Sequence, residues 1–196
     1  MSENNLFTYR MSGTAAVTLV IWAMLLWSHA HGGVPSHHLL AREDLPAISN
    51  WWGGLLLPVL TWFLLYRIQQ RVLRAGVEPA AGAKARAGVL YGFVAALLVG
   101  ILLSVFFTLG YTDPAGYLLL GLLALALFLP IYRAECLLGF VLGMTFTFGT
   151  MLPTGIGSLL ALIGAVLYLG VRPVPFYIRS VVRRRMAAKS VAPTNK

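Results

Sequence analysis

All four histidines of the chain lie between positions 29 and 38, inside the stretch WSHAHGGVPSHHLLAREDLPAISNWWGG. His29, His31, His37 and His38 stand close to Glu43 and Asp44, and imidazole backed by carboxylate suits Zn, Cu, Ni or Fe. Two histidines one residue apart at a helix end, with a third returned by a turn at Gly32 and Gly33, can converge on one ion. Asp44, Glu43 or Asp113 of a later loop can complete the shell or orient a ring from behind. The expected cofactor is therefore a transition metal, Zn or Cu, on His29, His31, His37, His38 and Asp44. None of the established ligand spacings is present, and a loop whose histidines meet lipid headgroups explains the same residues.

Ser49 adds a second chemistry. A serine, a histidine and an acid at a water–lipid boundary can serve acyl or amide hydrolysis, the imidazole taking the hydroxyl proton or a metal activating water. Ser49 is the candidate nucleophile, and Trp51, Trp52 and Asp113 are candidate ligand contacts. Simpler roles cover the same stretch: Asn50 caps the following helix, and the two tryptophans anchor it at the interface. Ser49 and Asn50 at a helix start resemble the serine-bearing motif of the alkaline ceramidase-like membrane hydrolases, which implies a membrane-embedded lipid or amide hydrolase. The resemblance is confined to this short stretch. Gly53 stands where that family's pattern has histidine, and no histidine follows His38, so the late His-x-x-x-His pair is lacking.

The elements that must position these residues follow from composition. The chain has 196 residues, 59% hydrophobic and 11% charged, where a soluble domain has about 25% charged. Its mean hydropathy is +0.80. That balance excludes disorder and argues against an ordinary water-soluble globule. Apolar runs near 13–28, 51–65, 89–109, 115–129, 136–152 and 156–171 approach the roughly 20 residues that cross a bilayer. Lipid offers backbone groups no partner, so each run is expected to be a helix. The runs are continuous instead of alternating, which excludes barrel strands. The expected fold is all-α: a polytopic, six-transmembrane-helix bundle over 1–178, with a folded outer loop at 29–50 and a basic tail at 179–196. The first run is read as a retained helix, not a cleaved signal.

Charge sets the orientation. With both termini cytoplasmic, every one of the 15 Lys and Arg residues except Arg42 falls on the inner side, the positive-inside pattern of an even number of spans. The net charge of +9 is thus a topology signal, and no nucleic-acid partner is expected because the basic residues lack interleaved aromatics. The tail from Arg179 to Lys189 is expected against anionic headgroups of the cytoplasmic face. Tyr66 with Arg67, Tyr132 with Arg133 and Tyr177 with Arg179 read as interfacial anchors. The localisation these signals suggest is a bacterial cytoplasmic membrane. The stretch 69–88, with Gly76, Pro79 and Gly82, reads as a linker between two three-helix halves.

No ionisable residue falls near the middle of a run, which argues against a self-contained proton pump, and no intramembrane lysine exists for a retinal Schiff base. Thr14, Thr18, Thr61, Ser104, Thr108, Thr145, Thr147, Thr150 and Ser158 are expected to bond to carbonyls of the preceding turn or to bridge helices. Gly139 and Gly143 form a GxxxG face for close helix approach, within the chain or in a homo- or hetero-oligomer. Met144 and Met151, seven apart, read as core filling on one helix face. The lone Cys136 excludes an intrachain disulfide. The function expected is a membrane binding or transport protein whose outer mouth captures a metal or a small polar-headed ligand. The alternatives are the hydrolase above and a structural subunit of a membrane complex.

Overall fold

A computed structural model of the chain describes residues 3–34, 36–38, 47–76 and 79–173. Among them run six helices: α1 (Glu3–Ala30), α2 (Gly53–Ala75), α3 (Pro79–Thr108), α4 (Thr112–Leu125), α5 (Ala134–Phe148) and α6 (Met151–Ala165), the last continued by a wider π turn at Val166–Val171. Each apolar run has become a helix, as hydropathy requires. Four stretches, Asn4–Ala30, Asn50–Ala75, Ala80–Thr108 and Met151–Val171, are long and apolar enough to cross a membrane, the mark of an integral membrane protein. The tail at 179–196 lies outside the described residues.

Several boundaries differ from the hydropathy reading, each for a local reason. The stretch 69–88 is not a linker: α2 continues to Ala75 and α3 begins at Pro79. Polar residues outside the hydrocarbon keep helical hydrogen bonds, and proline at a helix start lacks only an amide that would have no partner there. α5 ends at Phe148 because Gly149 takes a φ of 69°, a left-handed conformation that glycine adopts without strain. Met144 and Met151 therefore belong to different helices. The stretch after α1, expected as a folded loop, is not wholly irregular. In it β1 (Ser36–His38) pairs antiparallel with β2 (Ala47–Ser49), Ser36 opposite Ser49 and His38 opposite Ala47. Gly32 and Gly33, at φ 114° and 101°, turn the chain out of α1 as expected.

α5 is the axis of the bundle. It packs on α2, α3 and α6, while α1 packs on α2 and α4 on α3 and α6, so the molecule does not divide into two three-helix halves. Glu135, Leu138, Gly139, Phe140, Val141, Met144 and Thr145 are all buried. Helices in lipid associate by van der Waals fit and not by expelling water, and small residues let backbones approach. The α3–α5 contact is built that way. A methyl group added at Gly139 would meet the Phe93 carbonyl oxygen, one at Gly143 the Leu97 carbonyl oxygen, and one at Gly100 would sit 2.6 Å from the Phe140 carbonyl oxygen. The close-approach face of Gly139 and Gly143 is thus filled by α3 of the same chain, which leaves no room there for a second subunit.

α1 is fastened to α2 by its own contacts. Ile21 and Leu25 join Leu57 and Val141 in one buried cluster, and the Arg10 guanidinium lies 4.1 Å from the Trp62 ring centre and 5.4 Å from that of Tyr66. Desolvated contacts of this cation–π kind contribute on the order of 1–2 kcal/mol. Thr18, Thr108 and Thr145 donate within their helices, to the carbonyls of Thr14, Ser104 and Val141 at 2.7, 2.8 and 2.7 Å, whereas the hydroxyls of Thr14, Thr61 and Thr150, expected to bond in the same way, are buried without a hydrogen-bond partner among the described residues. Ser104 instead reaches across to the Gly143 carbonyl at 3.5 Å. Outward-facing Leu19, Phe146 and Leu162 are exposed, as befits side chains whose solvent is acyl chain.

Candidate functional site

At the end of the bundle where α1 finishes and α2 begins, the described histidines are held apart. His31 stacks on Trp27 with ring centres 4.0 Å apart, and its Nδ1 lies 2.9 Å from the Trp27 carbonyl oxygen, so that nitrogen carries the proton. His29 meets the edge of Trp51 at 5.9 Å, and Trp51 in turn leans on Trp22 at 6.1 Å. Both imidazoles are exposed. Of His37 and His38 only the backbone is described, in β1, and Asp44 lies outside the described residues. Among the described residues no three His, Cys, Asp or Glu side chains gather to hold a metal. Asp113 sits exposed in the first turn of α4.

Ser49 is occupied by structure. Its Oγ accepts from the Trp51 amide at 3.4 Å and caps the short turn Asn50–Trp52 that leads into α2. The cap is Ser49, not Asn50. The Asn50 side chain instead lies against Gly149, where even a methyl group would collide with it. Trp52 is exposed and Trp51 less so, which fits the interfacial role. This end is thus a clasp between the start of α2 and the α5–α6 turn, further closed by Thr150 against Gly53.

The opposite end holds what hydropathy did not reveal. Glu135, in the first turn of α5, is only 1% exposed, and Nη1 of Arg71 on α2 reaches its two carboxylate oxygens at 2.7 and 2.9 Å. Arg71 retains 32% of its side-chain surface. An acid in the first turn is favoured by the positive end of the helix, and Arg133 in extended conformation precedes that turn. Gly92 on α3 makes room for the pair: a methyl there would lie 3.1 Å from the Glu135 side chain and 3.3 Å from the Cys136 sulfur. Glu135 was legible as an exception. It is one of only six acids in the chain and abuts an apolar run, where a carboxylate must find a partner or be neutralised.

Beside this pair opens a pocket of about 400 Å³ between α3, α4, α5 and α6. Leu122, Leu125, Leu129, Phe140, Leu160 and Ala161 are typical of its wall. The non-helical segment between α4 and α5 also lines it, through Pro130 and Ile131. Irregular backbone at membrane depth is tolerated where it borders a cavity. The polar lining gathers on one side, in Tyr91, Arg133, Glu135 and Cys136. Nearby, Tyr132 packs on Tyr168 at 5.7 Å and Arg172 lies 4.6 Å over the Tyr168 ring, an aromatic and basic rim of the kind found at headgroup level. A long apolar wall with one charged end suits an amphiphile, since ligand pockets of about 300–1,000 Å³ are mostly apolar with a few placed polar groups. Comparison with protein-family models, with curated proteins and with solved structures finds no match to this chain.

Proposed function

We propose that the chain is a six-span protein of a bacterial cytoplasmic membrane, with both termini inside, that binds or transports an acyl-chain amphiphile in its inner-half pocket. The observation that carries this reading is the pocket itself: an apolar cleft walled by four helices, open beside a buried ion pair and an arginine. Orientation rests on the distribution of Lys and Arg, all but Arg42 on one side. α4 and α5, with 14 and 15 residues, are only about 20 Å long at 1.5 Å per residue, short of the roughly 30 Å hydrocarbon core. They complete the count of six because α5 is sheathed by its neighbours and the chain leaving α4 turns along the pocket wall. The polar-headed ligand expected at the outer mouth is thereby moved to the inner end. A metal in the outer loop would depend on His37, His38 and Asp44, since His29 and His31 each lie against a tryptophan.

Binding is tested by displacement of a fluorescent fatty-acid analogue from the full chain in maltoside micelles. Ala161 lines the pocket on α6, and Ala161→Phe fills the space an acyl chain would take. Losing one or two buried methylenes, at about 0.8 kcal/mol each, weakens binding by roughly tenfold. Affinity unchanged in Ala161→Phe removes the pocket as the binding site.

A further inference from the structure

We infer that the pocket selects an anionic headgroup, carboxylate or phosphate, and that Arg133 is the residue that reads it; this rests on the amphiphile reading above. Of the polar groups that line the pocket, only Arg133 and Glu135 carry charge. Glu135 is committed: it is buried to 1% and both of its oxygens engage Arg71, so a cationic headgroup could reach it only by breaking that pair. Arg133 is half-buried and has no ion-pair or hydrogen-bond partner for its guanidinium among the described residues. Arg71, Glu135 and Arg133 together leave one positive charge at the end of an apolar cleft. In a medium of low dielectric a lone cation there calls for a counter-ion.

The ligand chemistry follows from these groups. A guanidinium presents planar paired donors that match carboxylate and phosphate oxygens. Arg133 immediately precedes the first turn of α5, and the positive end of that helix favours negative charge in the same place. An anionic head at Arg133 would put its acyl chain along Leu129, Phe140 and Leu160. A free fatty acid and an anionic phospholipid of the inner leaflet share this chemistry.

The experiment compares displacement of the fluorescent analogue by laurate, dodecyl phosphate and dodecanol, at alkaline pH where the carboxyl is ionised. Laurate and dodecyl phosphate are expected to bind about tenfold more tightly than dodecanol, as a hydrogen bond to a charged group implies. Arg133→Gln is expected to bring laurate to the dodecanol level, and Arg133→Lys to keep a preference for the anions. Equal binding of laurate and dodecanol by the unaltered chain overturns the headgroup assignment and leaves the pocket reading standing. If none of the three displaces the analogue, both fall. A second arm measures lipid retained from nanodiscs of phosphatidylglycerol against phosphatidylcholine. Enrichment of phosphatidylglycerol assigns the anion to a leaflet lipid, and laurate binding without that enrichment assigns it to a free fatty acid.

Discussion

Arg71 and Glu135 share one ion pair but stand in different surroundings, and the difference decides which is harder to lose. Arg71 can turn its partly exposed head toward water or headgroups, whereas Glu135 has no such exit. Arg71→Met strands a buried carboxylate and is expected to cost up to about 3 kcal/mol. Glu135→Gln keeps the shape, leaves a hydratable guanidinium, and is expected to cost about 1 kcal/mol. The double change Arg71→Met with Glu135→Gln should recover part of the single Arg71→Met loss, because it removes the uncompensated charge. Thermal unfolding in maltoside reads all three, and an Arg71→Met midpoint no lower than that of Glu135→Gln contradicts the asymmetry. At this scale the sequence was least informative. The cluster of histidines was plain to see, yet pairing His29 with Trp51 depends on where two elements bring their rings, and only the stacking of His31 on Trp27, four residues back, is local. Arg71 and Glu135 are 64 residues apart, and no local pattern links them.

The α3–α5 contact has the least tolerance for added volume. At Gly143 any side chain meets backbone of Leu97, Gly100 and Ile101, which cannot rotate away, while at Gly155 and Gly116 a Cβ meets open space. Gly143→Val is expected to destabilise by about 1–3 kcal/mol through overpacking, and Gly155→Ala to leave the unfolding midpoint within experimental scatter. Equal effects of the two on the melting temperature would refute the close-packed seam. The spacing of Gly139 and Gly143 was readable as a close-approach face, but its occupant was not. Helices in lipid are apolar all round, so the periodicity that marks the buried side of a soluble helix is nearly silent here. For the same reason nothing in hydropathy distinguished α5, the most enclosed helix, from those that face acyl chains. Helix ends misread by several residues, as at α2, lie where polar side chains continue a helix beyond the hydrocarbon.

For the molecule as a whole, the six apolar runs foretold six helices among the described residues, four of them in stretches long and apolar enough to cross a membrane, where a helix satisfies the backbone. The proposed placement of both termini is tested by fusions in a bacterial host. A fluorescent protein at either end should fluoresce and alkaline phosphatase there should be inactive, while phosphatase inserted after Gly33 should be active. Active phosphatase at the carboxyl end together with a fluorescent amino end would require an odd number of crossings and undo the bundle as proposed.

The central position of α5 carries a further consequence for biosynthesis. The ribosome delivers α1 to α4 before the helix on which the bundle closes exists, so a nascent chain stalled before Ala134 has no axis. The glycine-lined groove of α3 then stays vacant, Arg71 lacks its counter-charge, and the clasp at Asn50 has nothing to grip. Maturation of this protein is therefore a late event, set by the arrival of α5.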